Sequence, residues 1–215
     1  IDPVNGTCST IPCGVEGNWK WVGIAAGPDN KLYCAPSGVS YVLVIDTATR
    51  TCSTIPCGVT GSTKWYGIAL ASNGKLYCAP TQAKEVLVID PATSSCSTIP
   101  CGVKGDNEWW SIAEGPDGIL YAPPYSGSDV LIIDPKTDTC RTIPSGASST
   151  SWIGVAVGAD SKLYSAPGRL APGQGSSVLV IDPATRTCST IPYSGKSLFG
   201  IAAAPNGKLF CAPHQ

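Results

Sequence analysis

Absences narrow the reading before any motif is sought. Methionine is missing, histidine occurs once (His214), phenylalanine twice, and charged residues make up only 13% of the 215 positions. With 14 basic against 15 acidic side chains the net charge is −1, so the concentrated basic stripe that nucleic-acid binding needs is not there. The longest apolar runs, such as YVLVI at 41–45, fall far short of the roughly 20 residues that span a bilayer, and membrane insertion is not expected. No Gly-x-Ser-x-Gly, phosphate loop or His-Glu-x-x-His occurs, which disfavours an enzyme. No signal peptide is visible, and the lack of methionine suggests a processed or partial chain.

Glycine (24), proline (19) and cysteine (11) are what the chain has in quantity. Eleven cysteines at this length favour an oxidising compartment over free thiols in a reducing cell. The sequon Asn5-Gly6-Thr7 makes Asn5 a candidate glycosylation site, in keeping with a secreted or extracellular surface protein.

Internal repeats run from end to end. Starting at each Ile-Asp, the chain divides into 1–44, 45–88, 89–132, 133–180 and 181–215. The fourth unit carries an inserted GRLAPGQGSS loop, and the fifth stops after CAPHQ. Each full unit reads as four short strands: VLVID, TCSTIP, a Trp-led run such as WYGIAL, and KLYCAP. Asp-Pro-Ala-Thr and Ser-Asn-Gly segments punctuate the runs as turns, and Pro with β-branched residues disfavours helix. VLVI is apolar on both faces, as expected of a strand sandwiched between two layers. Four strands per repeat of about 40–45 residues mark a β-propeller blade. The expectation is an all-β chain forming one five-bladed propeller of four-stranded antiparallel blades over 1–215.

VLVIDTATRTCSTIPCG followed by GIALASNGKLYCAP resembles the YVTN-type propeller repeat, across all five units. The resemblance departs where that family ends its repeat in Tyr-Val-x-Asn, here Tyr-Cys-Ala-Pro. Its members include extracellular and surface-layer proteins, so it implies a location more than a chemistry. With the Trp-led strand innermost, the closing blade has to combine Leu198–Pro213 with Ile1–Pro12, and its third strand retains only Ile1 and Asp2. Such an incomplete edge offers a route to an oligomer.

The cysteines fall into three classes. Rim positions read Cys13, Cys57, Cys101, Ser145 and Tyr193; hairpin positions read Cys34, Cys78, Ala122, Ser165 and Cys211. Shifting one series by a repeat pairs every cysteine with a cysteine, which predicts disulfides Cys34–Cys57, Cys78–Cys101 and Cys13–Cys211. The first cysteine of each TCSTIP, namely Cys8, Cys52, Cys96, Cys140 and Cys188, is read as a free, buried packing residue. Neither spacing converges a metal set, and no metal or cofactor is expected.

Loops entering the inner strands carry Trp19, Trp21, Lys64, Trp65, Tyr66, Trp109, Trp110, Trp152, Leu198 and Phe199. Part of this set should wedge blades together, while the rest, drawn from the Trp residues and Tyr66, forms a candidate aromatic platform for a glycan or a surface protein. The arrangement resembles tachylectin-type five-bladed lectins in architecture. The repeated carboxylates Asp2, Asp46, Asp90, Asp134 and Asp182 read as turn caps, and Asp29, Asp117 and Asp160 as hairpin-turn residues. Symmetry is broken by Asp106, Glu108, Glu114 and the loop 168–177, with Glu114 a candidate to face the channel. Sequence alone therefore favours a lectin-like, non-enzymatic binding module. A structural or protein-interaction propeller comes second and a propeller hydrolase or lyase last.

Overall fold

The computed structural model describes residues 1–102, 108–147, 151–168 and 176–213. Every regular element is a strand, and the strands fall into successive antiparallel sheets ordered as the repeats are. The first sheet runs β1 (Trp21–Ala26), β2 (Lys31–Pro36), β3 (Tyr41–Asp46) and β4 (Thr51–Pro56). The second runs β5 (Trp65–Leu70), β6 (Leu76–Pro80), β7 (Glu85–Asp90) and β8 (Ser95–Pro100).

In the third sheet the inner strand is interrupted. A short β9 (Glu108–Trp109) precedes β10 (Ala113–Glu114), β11 (Leu120–Ala122) follows, and β12 (Pro124–Ser126) pairs back onto β9. β13 (Asp129–Asp134) and β14 (Thr139–Pro144) complete it. The fourth sheet comprises β15 (Trp152–Val157), β16 (Leu163–Pro167), β17 (Ser176–Asp182) and β18 (Thr187–Tyr193). The fifth has two strands, β19 (Leu198–Ala203) and β20 (Leu209–Pro213). The expected order, Trp-led strand first and TCSTIP last, holds in the four larger sheets.

Pleating explains why VLVID is apolar throughout. Along β7, Val86 and Val88 point into the core shared with the third sheet, whereas Leu87 and Ile89 point into the core shared with the first. Fully burying one such side chain contributes about 1.5–3 kcal/mol. A third core joins the third and fourth sheets around Trp152, Leu179 and Ile181.

The turn between the third and fourth strands is capped by its aspartate. Asp46 Oδ1 accepts the N–H groups of Ala48 and Thr49 at 3.0 and 2.9 Å, and Asp90, Asp134 and Asp182 repeat the cap. The turn closes on a residue with positive φ: Arg50, Ser94, Asp138 or Arg186. The hairpin between the first two strands is held by a different aspartate, through Tyr33 to Asp29, Tyr121 to Asp117 and Tyr164 to Asp160. In the second repeat Asn73 donates to the Tyr77 hydroxyl at 2.9 Å.

Two expectations need correction. Ile1–Pro12 does not join β20 as a third and fourth strand. Asp2 and Thr7 form an isolated bridge closing a turn with the same aspartate cap, and Thr10–Pro12 is in no strand. Ile1 is 97% and Val4 90% exposed, and Arg50 donates to Ser9 Oγ at 2.8 Å, which holds this segment beside the first sheet's outer turn. Without a VLV run ahead of it, Ile1-Asp2 cannot supply the ladder that would hold the segment to β20. In consequence Cys8 is exposed rather than buried.

Secondly, the three expected disulfides are not formed: every cysteine in the described residues is a free thiol. For two of the pairs the pleat gives the reason. Cys78 packs in the core between the first and second sheets, and Cys101 in the core between the second and third. The two therefore face opposite sides of one sheet. Cys57 packs toward the second sheet together with Tyr33 and Ala35, so Cys34, between them in β2, faces away from it toward Cys52. For Cys13–Cys211, the N-terminal segment is not paired with β20, and Cys13 Sγ lies against the Val15 carbonyl at 3.9 Å.

Candidate functional site

Five inner strands converge on one cavity of about 600 Å³. Each contributes three consecutive residues, stacked as tiers. The outer tier is Val22, Tyr66, Trp110, Ile153 and Phe199; next come Gly23, Gly67, Ser111, Gly154 and Gly200; then Ile24, Ile68, Ile112, Val155 and Ile201. Register shifts at this point in β1, β5, β15 and β19 let neighbouring residues turn toward the centre, where strict alternation would send every second one away.

The small tier is dictated by the closeness of the strands. A Cβ on Gly23 would lie 2.2 Å from the Tyr66 carbonyl oxygen, and one on Gly67 2.8 Å from Ser111 Cα. Gly154, at φ 83°, would meet Gly200 Cα at 2.8 Å. At Gly200 nothing lies within 4 Å, so its Cβ side is open where Gly23, Gly67 and Gly154 each meet the following repeat. Val22, Ile24, Phe199 and Phe210 are about half exposed on the two sides of that junction.

The tryptophans divide by one residue of register. Trp65, Trp109 and Trp152 are buried, and each donates its indole N–H at 2.9 Å to a carbonyl at or near the start of the third strand, that of Glu85, Asp129 or Ser177. Trp21, half-buried, donates likewise to Tyr41 O at 3.0 Å. These four tie strands together through their indoles, and none of them lines this cavity.

Their sequence neighbours take that place. Trp110 stacks on Tyr125, centroids 3.5 Å apart at 13°, and meets Tyr66 at 5.1 Å. The interrupted inner strand of the third sheet and the β9–β12 pairing place Tyr125 there. Trp19, 79% exposed, also lines the cavity; its left-handed backbone (φ 52°) is held by the Gly38 N–H on its carbonyl at 2.9 Å. Tyr125 was missed in the sequence because the residues aligned with it in the first two repeats, Ser37 and Thr81, are small and not aromatic.

The cavity wall is apolar. Among the described residues its side-chain hydroxyls come only from Tyr66 and Ser111, and Ser111 Oγ is buried with no hydrogen-bond partner. Glu114 is not in the wall: its Oε1 accepts the Ser72 N–H at 2.8 Å and so ties the third sheet to the second. Glu108 Oε2 accepts from the Trp110 indole at 3.4 Å. Lys64 is buried beside Trp65 and donates to the carbonyls of Ser37 and Gly61 at 2.9 and 2.7 Å; burial lowers its pKa. Asn5 is exposed, with its amide donating to Asp2 at 2.7 Å. Asp106, His214 and most of loop 168–177 lie outside the described residues. No cluster of three or more metal-ligating side chains occurs among the described residues.

No protein-family model matches the chain, and no curated protein sequence does. Solved structures do. Hydrazine synthase of Kuenenia stuttgartiensis superimposes with a TM-score of 0.72 at 20% identity, over 92% of this chain and 57% of that one. Virginiamycin B lyase of Staphylococcus aureus gives 0.76 at 14% identity, over 91% and 64%. The extracellular domain of a hybrid two-component system from Bacteroides thetaiotaomicron gives 0.63 at 14% identity, over 88% and 25%. The chain thus spans less than two thirds of the length of each. Structures of this kind are β-propellers, and at these identities the likeness establishes the fold class alone.

Proposed function

We propose that the chain is a single five-bladed propeller acting as a non-catalytic extracellular binding module, which takes a ligand with a flat apolar face at the mouth of its central cavity. The observation that carries this reading is the Trp110–Tyr125 stack with Tyr66 against it, set over an apolar chamber. Aromatic faces beside sparse hydroxyls suit the C–H face of a pyranose, so a glycan is our first choice of ligand. Among the described residues Tyr66 is the only ionisable side chain in the wall, which favours binding over acid–base chemistry. An extracellular setting agrees with the likeness to an extracellular domain.

A glycan array followed by titration tests it. Replacing Trp110 or Tyr66 by alanine should weaken a hit about 30-fold, the loss of one aromatic anchor of about 2 kcal/mol, while the fold survives. Silence across a broad array would remove the carbohydrate reading.

A second reading rests on a separate observation. Val22, Ile24, Phe199 and Phe210 expose apolar surface on both sides of the junction between the first and fifth sheets, and the fifth sheet has only two strands. Such a surface suits a protein partner or a second copy of the chain. A multimeric mass in solution, lost on Phe210→Glu, would support it.

A further inference from the structure

We propose that Cys101 and Cys140 are the two halves of a disulfide that staples the second sheet to the third, formed by exchange with a small oxidised disulfide of the glutathione class.

Strand parity supplies the geometry. On the outer strand of each sheet the first cysteine and the rim cysteine point to opposite sides: Cys96 packs toward the first sheet, while Ile99 and Cys101 pack toward the third. Cys140, on β14, points back to meet them, and Cys101 and Cys140 share one core with Ile99 and Leu131. A rim cysteine therefore faces the first cysteine of the following repeat, a relation invisible when pairs are sought within one sheet. Rim Cys57 and Cys101 are opposed by Cys96 and Cys140; where the rim residue is Ser145, Cys188 is left without such a partner.

The second-to-third interface gives the least ambiguous case. Between the first and second sheets three thiols share one core, Cys57, Cys78 and Cys96, so more than one pairing is open. In the next interface Ala122 stands where Cys78 would, and the choice reduces to Cys101 with Cys140. The two thiols act on one another, which lowers the pKa of Cys101 and raises that of Cys140. Cys101 is thus the attacking group.

Its thiolate attacks one sulfur of the small disulfide and expels the other as a thiolate, leaving a mixed disulfide. Cys140, losing its proton to solvent, then attacks Cys101 Sγ and expels the second small thiolate. Two protein thiols are oxidised and one small disulfide is reduced to two thiols. Because Cys101 is only 7% exposed, exchange takes place during folding or local opening of this edge.

The test is peptide mapping of the wild-type chain. The protein is refolded in a glutathione redox buffer, unfolded in denaturant, alkylated and digested without reductant. The expected product is a linked peptide pair containing Cys101 and Cys140 that separates on reduction. Alkylation of both thiols, or a Cys78–Cys101 link, overturns the proposal. In Cys140→Ser, Cys101 should carry no link to another peptide and should stand either free or as the mixed disulfide with glutathione; a Cys101 linked to another cysteine of the chain in that variant overturns it as well. Closing a loop of about 40 residues should also make the oxidised protein melt about 10 °C above Cys101→Ala/Cys140→Ala. The outcome does not depend on the glycan reading.

Discussion

Trp109 and Trp110 are adjacent in sequence and should respond oppositely to the same substitution. Trp109 is 2% exposed, and its indole donates to Asp129 O at 2.9 Å. Truncation to alanine leaves a large cavity and a buried carbonyl without its donor, a loss of about 3–5 kcal/mol. At about 2–4 °C per kcal/mol for a domain of this size, Trp109→Ala should lower Tm by about 6–20 °C. Trp110 is half-buried at the cavity mouth, and what it loses first is its stack on Tyr125, about 0.5–1.5 kcal/mol. Trp110→Ala should therefore lower Tm by only about 1–6 °C, yet weaken ligand binding about 30-fold. Thermal melts by far-UV circular dichroism, with urea titrations to verify an unchanged m-value, measure both. Equal Tm losses, or a larger one for Trp110→Ala, would refute the one-residue division of roles on which the candidate site rests.

Other consequences are simpler. Gly67→Ala puts a methyl 2.8 Å from Ser111 Cα, a backbone atom that cannot swing aside, and should cost about 1–3 kcal/mol in a urea titration. Acid stability follows from the aspartates. The hydrogen bond from Tyr164 holds the Asp160 carboxyl below its ordinary pKa of 3.8, as the Lys162 ammonium does for Asp182. A depressed folded pKa contributes stability that is complete above the unfolded value and lost as pH falls through the folded one. Stability should accordingly decline below about pH 4, and Asp160→Asn should flatten that decline while lowering stability at neutral pH. Tyr164, pushed up to about 12 by burial and by the bond to Asp160, should ionise later than an exposed tyrosine in a spectrophotometric titration, and Asp160→Asn should bring it down. Arg50→Ala, which removes one exposed contact to Ser9, should leave Tm within about 2 °C, since surface substitutions of this kind fall within about ±0.5 kcal/mol.

Much of the architecture was legible because the repeats state one local structure several times over. The apolar VLVID run, the Asp-Pro-Ala-Thr turn and the Asn-Gly or Asp-Gly hairpin each predict their element locally, and the order of strands within a sheet followed from their succession. The fifth sheet was not legible in the same way. Its outer strands were assigned to Ile1–Pro12 by analogy, but a strand holds its place through a ladder and an apolar face. Ile1-Asp2 carries too little of either, and the segment folds on its own turn.

The site shows a subtler limit. Aligning the repeats puts Trp21, Trp65, Trp109 and Trp152 in one column, conspicuous because tryptophan is rare and recurs, with Trp19, Tyr66 and Trp110 beside it in the same loops. Recurrence argues for a scaffold role, and these indoles indeed bond to carbonyls along the third strands. The following column, Val22, Tyr66, Trp110, Ile153 and Phe199, varies in size and polarity and is the one that meets the cavity. The cysteines carry the same lesson. Cys52, Cys96 and Cys140 recur at one register of the outer strand, whereas Cys57 and Cys101 give way to Ser145 and Tyr193 in later repeats. A pairing rule drawn within one sheet ignored that the two sides of an outer strand belong to different cores. Once parity assigns each cysteine to an interface, the variable residue decides which interfaces have two thiols to join. In a chain built of repeats, the columns that change are where one copy is distinguished from the next, and the aromatic residues at the cavity and the rim cysteines are both such columns.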